Sequence, residues 1–400
     1  MKTIYTLILF SFLAFALNAQ TRKVEVSNNS AKTINDYTVE LSTDNVSLPL
    51  GEYIAKTATE IVPLEIVQDI YGNQKALFSV STIAPNSKQV YTIEKGVASS
   101  YPKRSYAELA HKIGGEFVGP KYEGGFSWVK PNQMVVDSAF MDHAYYIKYE
   151  GPGWESDKMA YRFYLDWRNG IDVFGKLTDG IVLPAVGVDG YDNYHEPADW
   201  GMDILKVGKS LGLGSIATWD GEKAVRVEKR DSVSGSIEAD GKTRSQVLTK
   251  YYGWQIENTK VNLTSLISID AGNSASHIEL LSDKKIDNIA TGIIKDAKAE
   301  LIVDQKRDKE WSFIATFGKQ SLNDDMMGLV VFFRTKQLRK ITEDKLNHIV
   351  VLNPTDNHVD YYIMPTWELS NEGIKDKPQF ERAIQKMLDK LNNPLVIGVK

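Results

Sequence analysis

The chain has 400 residues, a formal charge of −5 and no cysteine. Without cysteine there is no disulfide, thiolate nucleophile, zinc–thiolate site or lipid-bearing cysteine, and the acidic balance argues against a general attraction to nucleic acid. A chain this long buries a large core without covalent staples.

The first residues, "MKTIYTLILFSFLAFALNAQ", carry one lysine and an uncharged apolar run from Ile4 to Leu17 ahead of Asn18, Ala19 and Gln20. This is the pattern of a secretory signal peptide over residues 1–19. It implies an exported, periplasmic protein of a Gram-negative cell. No later segment stays apolar for the eighteen or so residues a spanning helix requires, so no membrane anchor is expected.

Residues 20–100 alternate with period two in "KVEVSN", "DYTVELS", "ALFSVSTI" and "QVYTIEKG", with Asn, Ser, Pro and Gly between them. They predict a small module of antiparallel strands. Tyr101 to Phe117 combines a proline with a weakly helical middle and reads as a connection. Residues 101–400 form the large catalytic domain of this reading. Between Tyr122 and Trp200 lie 16 of the 41 aromatic residues, about twice the share expected from length, which marks this region for ligand contact or a dense core.

Here "DHAYYIKYEG" and "KMAYRFYLDWRNGIDVFGK" predict strands. Tyr161, Phe163, Leu165 and Trp167 fall on one face, and Arg162, Tyr164, Asp166 and Arg168 on the other, polar enough to line a groove. Beyond Gly208, short strand patterns continue to "VDYYIMPTWEL". Phe380, Ile384, Met387, Leu388 and Leu391 then recur at helical spacing in a C-terminal amphipathic helix. The expected fold is all-β: a large antiparallel β-sandwich with an N-terminal β module and a C-terminal helix, comparable to the supersandwich of sugar mutarotases and several polysaccharide lyases.

Candidate chemistry centres on "GYDNYHEPADWGMDILKVG", Gly190 to Gly208. His195 sits there in a proline- and glycine-flanked loop, where catalytic groups tend to lie on a rigid β scaffold; its structural alternative is a bond to a carboxylate such as Glu196 or Asp199. Arg162 beside Tyr164 offers a planar fork for an acidic sugar, against a simple pairing with Asp166 or Asp172. His143, Trp154, Glu155, Asp157, Tyr161 and Trp200 are candidate substrate contacts, with core, turn and capping roles as the alternatives. The remaining histidines read as surface or packing residues. No nucleophile elbow, Walker loop, zinc-helix motif or dinucleotide fingerprint is present, and no cofactor is indicated. His143 and His195 with nearby carboxylates leave a divalent cation as an open alternative. Oligomeric state is not legible.

The runs "GPGWESDKMAYRFYLDWRNGIDVFGK" and "GVDGYDNYHEPADWGMDILKVGKSLGLGS" resemble a family of exported bacterial proteins grouped as a domain of unknown function that accompany polysaccharide-degrading enzymes. One branch comprises dehydratases of ulvan oligosaccharides. The resemblance implies loss of water from a non-reducing-end glucuronate or iduronate to give a 4,5-unsaturated uronate. In that reading Arg162 stabilises the substrate carboxylate, His195 removes the C5 proton, and Tyr164 or Tyr194 protonates the leaving hydroxyl. The alternatives are a polysaccharide lyase, a sugar epimerase or a non-catalytic carbohydrate-binding protein.

Overall fold

The computed structural model describes residues 22–46, 48–136, 140–190, 193–304 and 306–400; the expected signal peptide lies outside them. The protein is all-β, with antiparallel pairing throughout its named strands and one long helix, Lys377–Asn392. Among the described residues no helix is long and apolar enough to cross a membrane.

Six strands between residues 22 and 95 build the N-terminal sheet. Its seventh comes from the far end of the chain, where Val396–Val399 pairs with Arg22–Asn28 in the register Val24↔Val399 and Val26↔Ile397. The module closes around its own core, including Val24, Val39, Phe78, Tyr91 and Leu395. The C-terminal strand therefore ties the last residues of the large domain to the first strand of the small one.

The large domain has two layers. A nine-stranded antiparallel sheet forms one, and two five-stranded sheets lie side by side in the other. Isolated bridges Ile171↔Gly212 and Leu213↔Ile293 connect the two smaller sheets through the 205–216 segment. The layers meet in one core, to which Trp154, Tyr161 and Val173 contribute from one small sheet, Ile289 and Val350 from the other, and Ile267, Ile278, Val331 and Tyr361 from the large sheet. The helix covers the opposite face of the nine-stranded sheet, with Phe380 stacked on Phe317 at 4.8 Å and Ile384 and Leu388 beside it. Its start is fixed by Asp376, which accepts a hydrogen bond from the Gln379 backbone N–H, followed by a proline in the first turn.

The site rests on the five-stranded sheet ordered Gly201–Asp203, Ile171–Lys176, Ala160–Phe163, Gly153–Ser156 and Ser105–Glu108. Ser105–Glu108 belongs to the stretch read as a partly helical connection. It is an edge strand because its alternate residues serve two buried faces, Ala107 against the core and Tyr106 and Glu108 on the other side. The predicted strand across Asp142–Gly151 is also replaced, by loop and a single 3-10 turn at Lys148–Glu150. His143, Tyr145, Tyr149 and Glu150 all have positive φ, between 38° and 69°. Four such non-glycine residues in eight positions store backbone strain that the surrounding contacts must hold in place.

Candidate active site

Pleating divides the site sheet. Ala107, Trp154, Tyr161 and Val173 occupy one cross-strand row and face the core. The next row carries Glu108, Gly153, Arg162 and Asp172, and these face away from it. Asp203, paired with Phe174, joins them from the last strand. Residues 140–150, 181–190 and 193–200 cover this outer face, so its charged residues are buried as fully as the core. Gly153 makes room for the cover: a Cβ there would lie 2.6 Å from the Tyr149 hydroxyl.

Arg162, 1% exposed, is the hub. Its Nη2 donates to Asp172 Oδ2 at 2.8 Å, to Asp203 Oδ2 at 2.7 Å and to the Tyr164 hydroxyl at 2.9 Å, while Nη1 donates to the Tyr194 hydroxyl at 2.7 Å. Tyr164 passes its own proton toward Asp172 Oδ2, 2.7 Å away. Backbone N–H groups of Val173 and Leu205 engage the remaining aspartate oxygens at 2.9 and 3.1 Å. Two buried carboxylates thus share one guanidinium. Burial, and then the facing Asp203, push the Asp172 carboxyl well above the usual carboxylate range.

His195 completes the chain. Its Nε2 lies 3.2 Å from Asp203 Oδ2 and its side chain is 40% exposed. A carboxylate only accepts, so Nε2 carries the proton and Nδ1 is the basic nitrogen. The Asp203 hydrogen bond raises the imidazole above its ordinary value. Tyr194, 4.8 Å from His195 between ring centroids, lines a cleft with Trp128, His143, Tyr145, Glu150 and Gly190.

A second arginine stands behind the first. Arg168 lies 3.9 Å from the centre of the Tyr164 ring, pairs with Asp166, and reaches Asp142 at 2.8 Å and Glu150 at 2.9 Å. Burial alone would raise Glu150, but Arg162 and Arg168 hold its carboxyl below the usual range. The donor atoms of Asp142, His143 and Glu150 fall within 4.8 Å of one another. Arg168 already bridges two of these three, and His195 stands apart from them. A guanidinium therefore already pairs with two of the carboxylates that a divalent cation would draw on.

The structure brings together Arg162, Tyr164, Tyr194 and His195. It also corrects their roles: Arg162 is saturated by protein partners beneath the cleft, and Tyr164, 5% exposed, is committed to Asp172. Four expected substrate contacts are internal. Trp154, fully buried, stacks on Tyr161 at 5.4 Å and donates its indole N–H to Ser276. Glu155 binds Lys176 at 2.7 Å and accepts from the backbone N–H groups of Val182 and Leu183, thereby anchoring the covering loop. Asp157 accepts from Arg104 at 2.8 Å and from the Gly272 N–H at 2.7 Å. Trp200 is half-buried against Phe174, at 5.9 Å between centroids. His143 does border the cleft, its Nδ1 2.6 Å from Asp142. Asp203 and Glu150 were missed as functional residues, and Asp172 was weighed only as a structural partner of Arg162.

The fold and site define a β-sandwich protein with a buried arginine–dicarboxylate centre and a half-exposed histidine. The chain belongs to DUF4861, a domain of unknown function, which it matches over residues 26–397. It is 25% identical over 314 residues, 71% of this chain and 76% of the relative, to uncharacterized protein P7 of Formosa agariphila. Two solved structures from Enterococcus faecalis superpose over 95% of the chain with a TM-score of 0.46: a protein in glycosyl hydrolase family 38, at 9% identity, and an alpha-mannosidase, at 8%. The chain spans 47% and 46% of those two proteins.

Proposed function

We propose that the protein is a periplasmic carbon–oxygen lyase that dehydrates the non-reducing-end uronate of ulvan-type acidic oligosaccharides, with His195 as base and Tyr194 as acid. The observation that carries this reading is the contact of His195 Nε2 with Asp203 at 3.2 Å, at the edge of a buried centre where Asp203 and Asp172 share Arg162. That carboxylate raises the imidazole above its ordinary value and so favours the imidazolium that proton abstraction creates.

The balance of the step follows. The C5–H proton passes to His195 Nδ1 and the bonding pair forms the C4=C5 double bond. The C4–O bond breaks, and the departing oxygen takes the Tyr194 proton and leaves as water. Both tyrosine oxygens accept from Arg162, which would stabilise a phenolate on either, but Tyr164 already gives its proton to Asp172 and Tyr194 lines the cleft, so Tyr194 suits this role better. His195 then returns its proton to Tyr194 through solvent.

The test is ultraviolet absorbance of the conjugated unsaturated uronate, with product masses, after mixing the protein with saturated uronate-terminated oligosaccharides. Absorbance with loss of one water and unchanged chain length supports the dehydratase. Absorbance with shorter chains supports a polysaccharide lyase, which uses the same C5 abstraction. Silence across ulvan, alginate and glycosaminoglycan fragments overturns both.

A further inference from the structure

A C5 proton is acidic only while charge on the adjacent carboxylate is neutralised, and Arg162 does not reach the cleft. This inference rests on the function proposed above: some other cation must meet the substrate carboxylate. The cations around the centre are taken. Arg168 is held by Asp142, Glu150 and Asp166; Lys148 and Lys130 by Glu108; Lys176 by Glu155.

Lys112 differs. It lies on the hairpin formed by His111–Ile113 and Ser127–Val129, directly opposite Trp128. The residue is 6% exposed, yet its ammonium makes one hydrogen bond, 3.0 Å to the Gly190 carbonyl, and otherwise lies 4.4 Å from the Phe126 ring centre and 5.7 Å from that of Trp128. An ammonium has three donors, and two of these have no protein acceptor among the described residues. Asp189 acts on it only from beyond ion-pair distance.

Gly190 is what allows this approach. It lines the cleft with Tyr194, its φ is +83°, and a Cβ there would lie 2.5 Å from the Phe126 ring and 2.9 Å from the Lys112 ammonium. The Trp128 indole N–H donates to the Val188 carbonyl at 2.8 Å, which fixes the ring on the same loop. Burial also draws Lys112 below the ordinary lysine range, and a poorly hydrated ammonium gains more from an anion than one in water.

We propose that Lys112 reads the carboxylate of the terminal uronate, with Trp128 as the platform for the sugar ring. Lys121, exposed and 5.7 Å from the Tyr145 ring centre, stands farther out and serves as a control.

The experiment is calorimetric titration, in a His195→Ala background that prevents turnover, of a glucuronate-terminated oligosaccharide and its carboxyl-reduced neutral counterpart. The background variant should prefer the acid by about tenfold or more, the scale of a hydrogen bond to a charged group. Lys112→Gln should erase that preference, Lys112→Arg should keep most of it, and Lys121→Gln should leave it nearly intact. Trp128→Ala, which retains the ammonium, should weaken both sugars alike and keep the acid preference. An acid preference that survives Lys112→Gln, or that is lost with Trp128→Ala, overturns the assignment and leaves the proposed function standing. Failure of the background variant to prefer the acidic sugar overturns the proposed function and this inference together.

Discussion

Three histidine–aspartate–arginine chains occur among the described residues; the one through Asp142 rests on a half-exposed carboxylate, and the two on buried aspartates have the same histidine–carboxylate distance. His195 meets Asp203 at 3.2 Å, and Asp203 meets Arg162; on the outer face of the nine-stranded sheet His277 meets Asp360 at 3.2 Å, and Asp360 meets Arg334. The second chain lies along the larger cleft, between the N-terminal module, the sheet and the C-terminal helix. The chains differ in charge and solvation. Asp360 has Arg334 on both its oxygens, and although burial would raise it, His277 and Arg334 hold its carboxyl down to about 2. The other acid on Arg334, Glu310, is 57% exposed and solvated. Around Arg162 both acids are 1% exposed, and one carboxyl is driven up. His277 is also stacked flat on Tyr362 at 4.2 Å. A histidine on an aspartate is thus not by itself a catalytic base; the second buried carboxylate crowded behind it distinguishes the two.

The largest effect expected is on turnover. His195→Ala should lower kcat by about 10²–10⁴-fold, the usual scale for a general base, while affinity for the oligosaccharide persists in calorimetry. Arg162→Leu should cost about 3–5 kcal/mol of stability because it takes from two buried carboxylates the cation they share, read as a drop in Tm and in the denaturant midpoint. If Arg162→Leu melts like the parent protein, the buried centre has been misread.

Asp203→Asn tests the link between charge and base. A base works unprotonated, so kcat/KM should rise with pH through an inflection above the ordinary imidazole value, because Asp203 raises His195. Removing that carboxylate should move the inflection down and reduce the rate. It should also relieve Asp172, since Asp203 is the second cause of its upward shift. A carboxyl raised on folding stabilises below its unfolded pKa and loses that contribution as pH rises through its folded value. Asp172 should therefore lose its contribution as pH rises, and Asp203→Asn should flatten that part of a Tm profile. Asp360 has the opposite sign: its contribution is present above the unfolded value and is lost as pH falls toward about 2. The smallest effect belongs to His277→Ala, which should leave kcat/KM within about twofold, as expected of a residue away from the chemistry.

Much of the site was readable from local pattern. The alternation in Ala160–Phe163 put Arg162 opposite Tyr161, and the loop around His195 put a tyrosine beside the histidine. Asp172 was also within reach, since a hairpin through Asn169, with its φ of 45°, sets Arg162 across from it. Asp203 was not, because it arrives by the non-local pairing Phe174↔Asp203. Period two also misleads where both faces of a sheet are covered. Trp154 and Tyr161 were read as sugar contacts from an aromatic surplus that fills the core, and Arg162 as groove-lining when loops bury it. The Asp142–Gly151 segment reads as a strand in composition, and only its positive φ angles and the two arginines at Glu150 mark it as part of the site.

The central claim is that of the two histidine chains built on buried aspartates only the one on the dicarboxylate centre removes a proton. It is tested most directly by unsaturated-uronate absorbance in parallel assays of the parent protein, His195→Ala and His277→Ala on one uronate-terminated oligosaccharide. Absorbance that grows with the parent and His277→Ala and stays flat with His195→Ala is the predicted result. Absorbance that grows with His195→Ala and stays flat with His277→Ala would place the chemistry at the module junction and contradict the account.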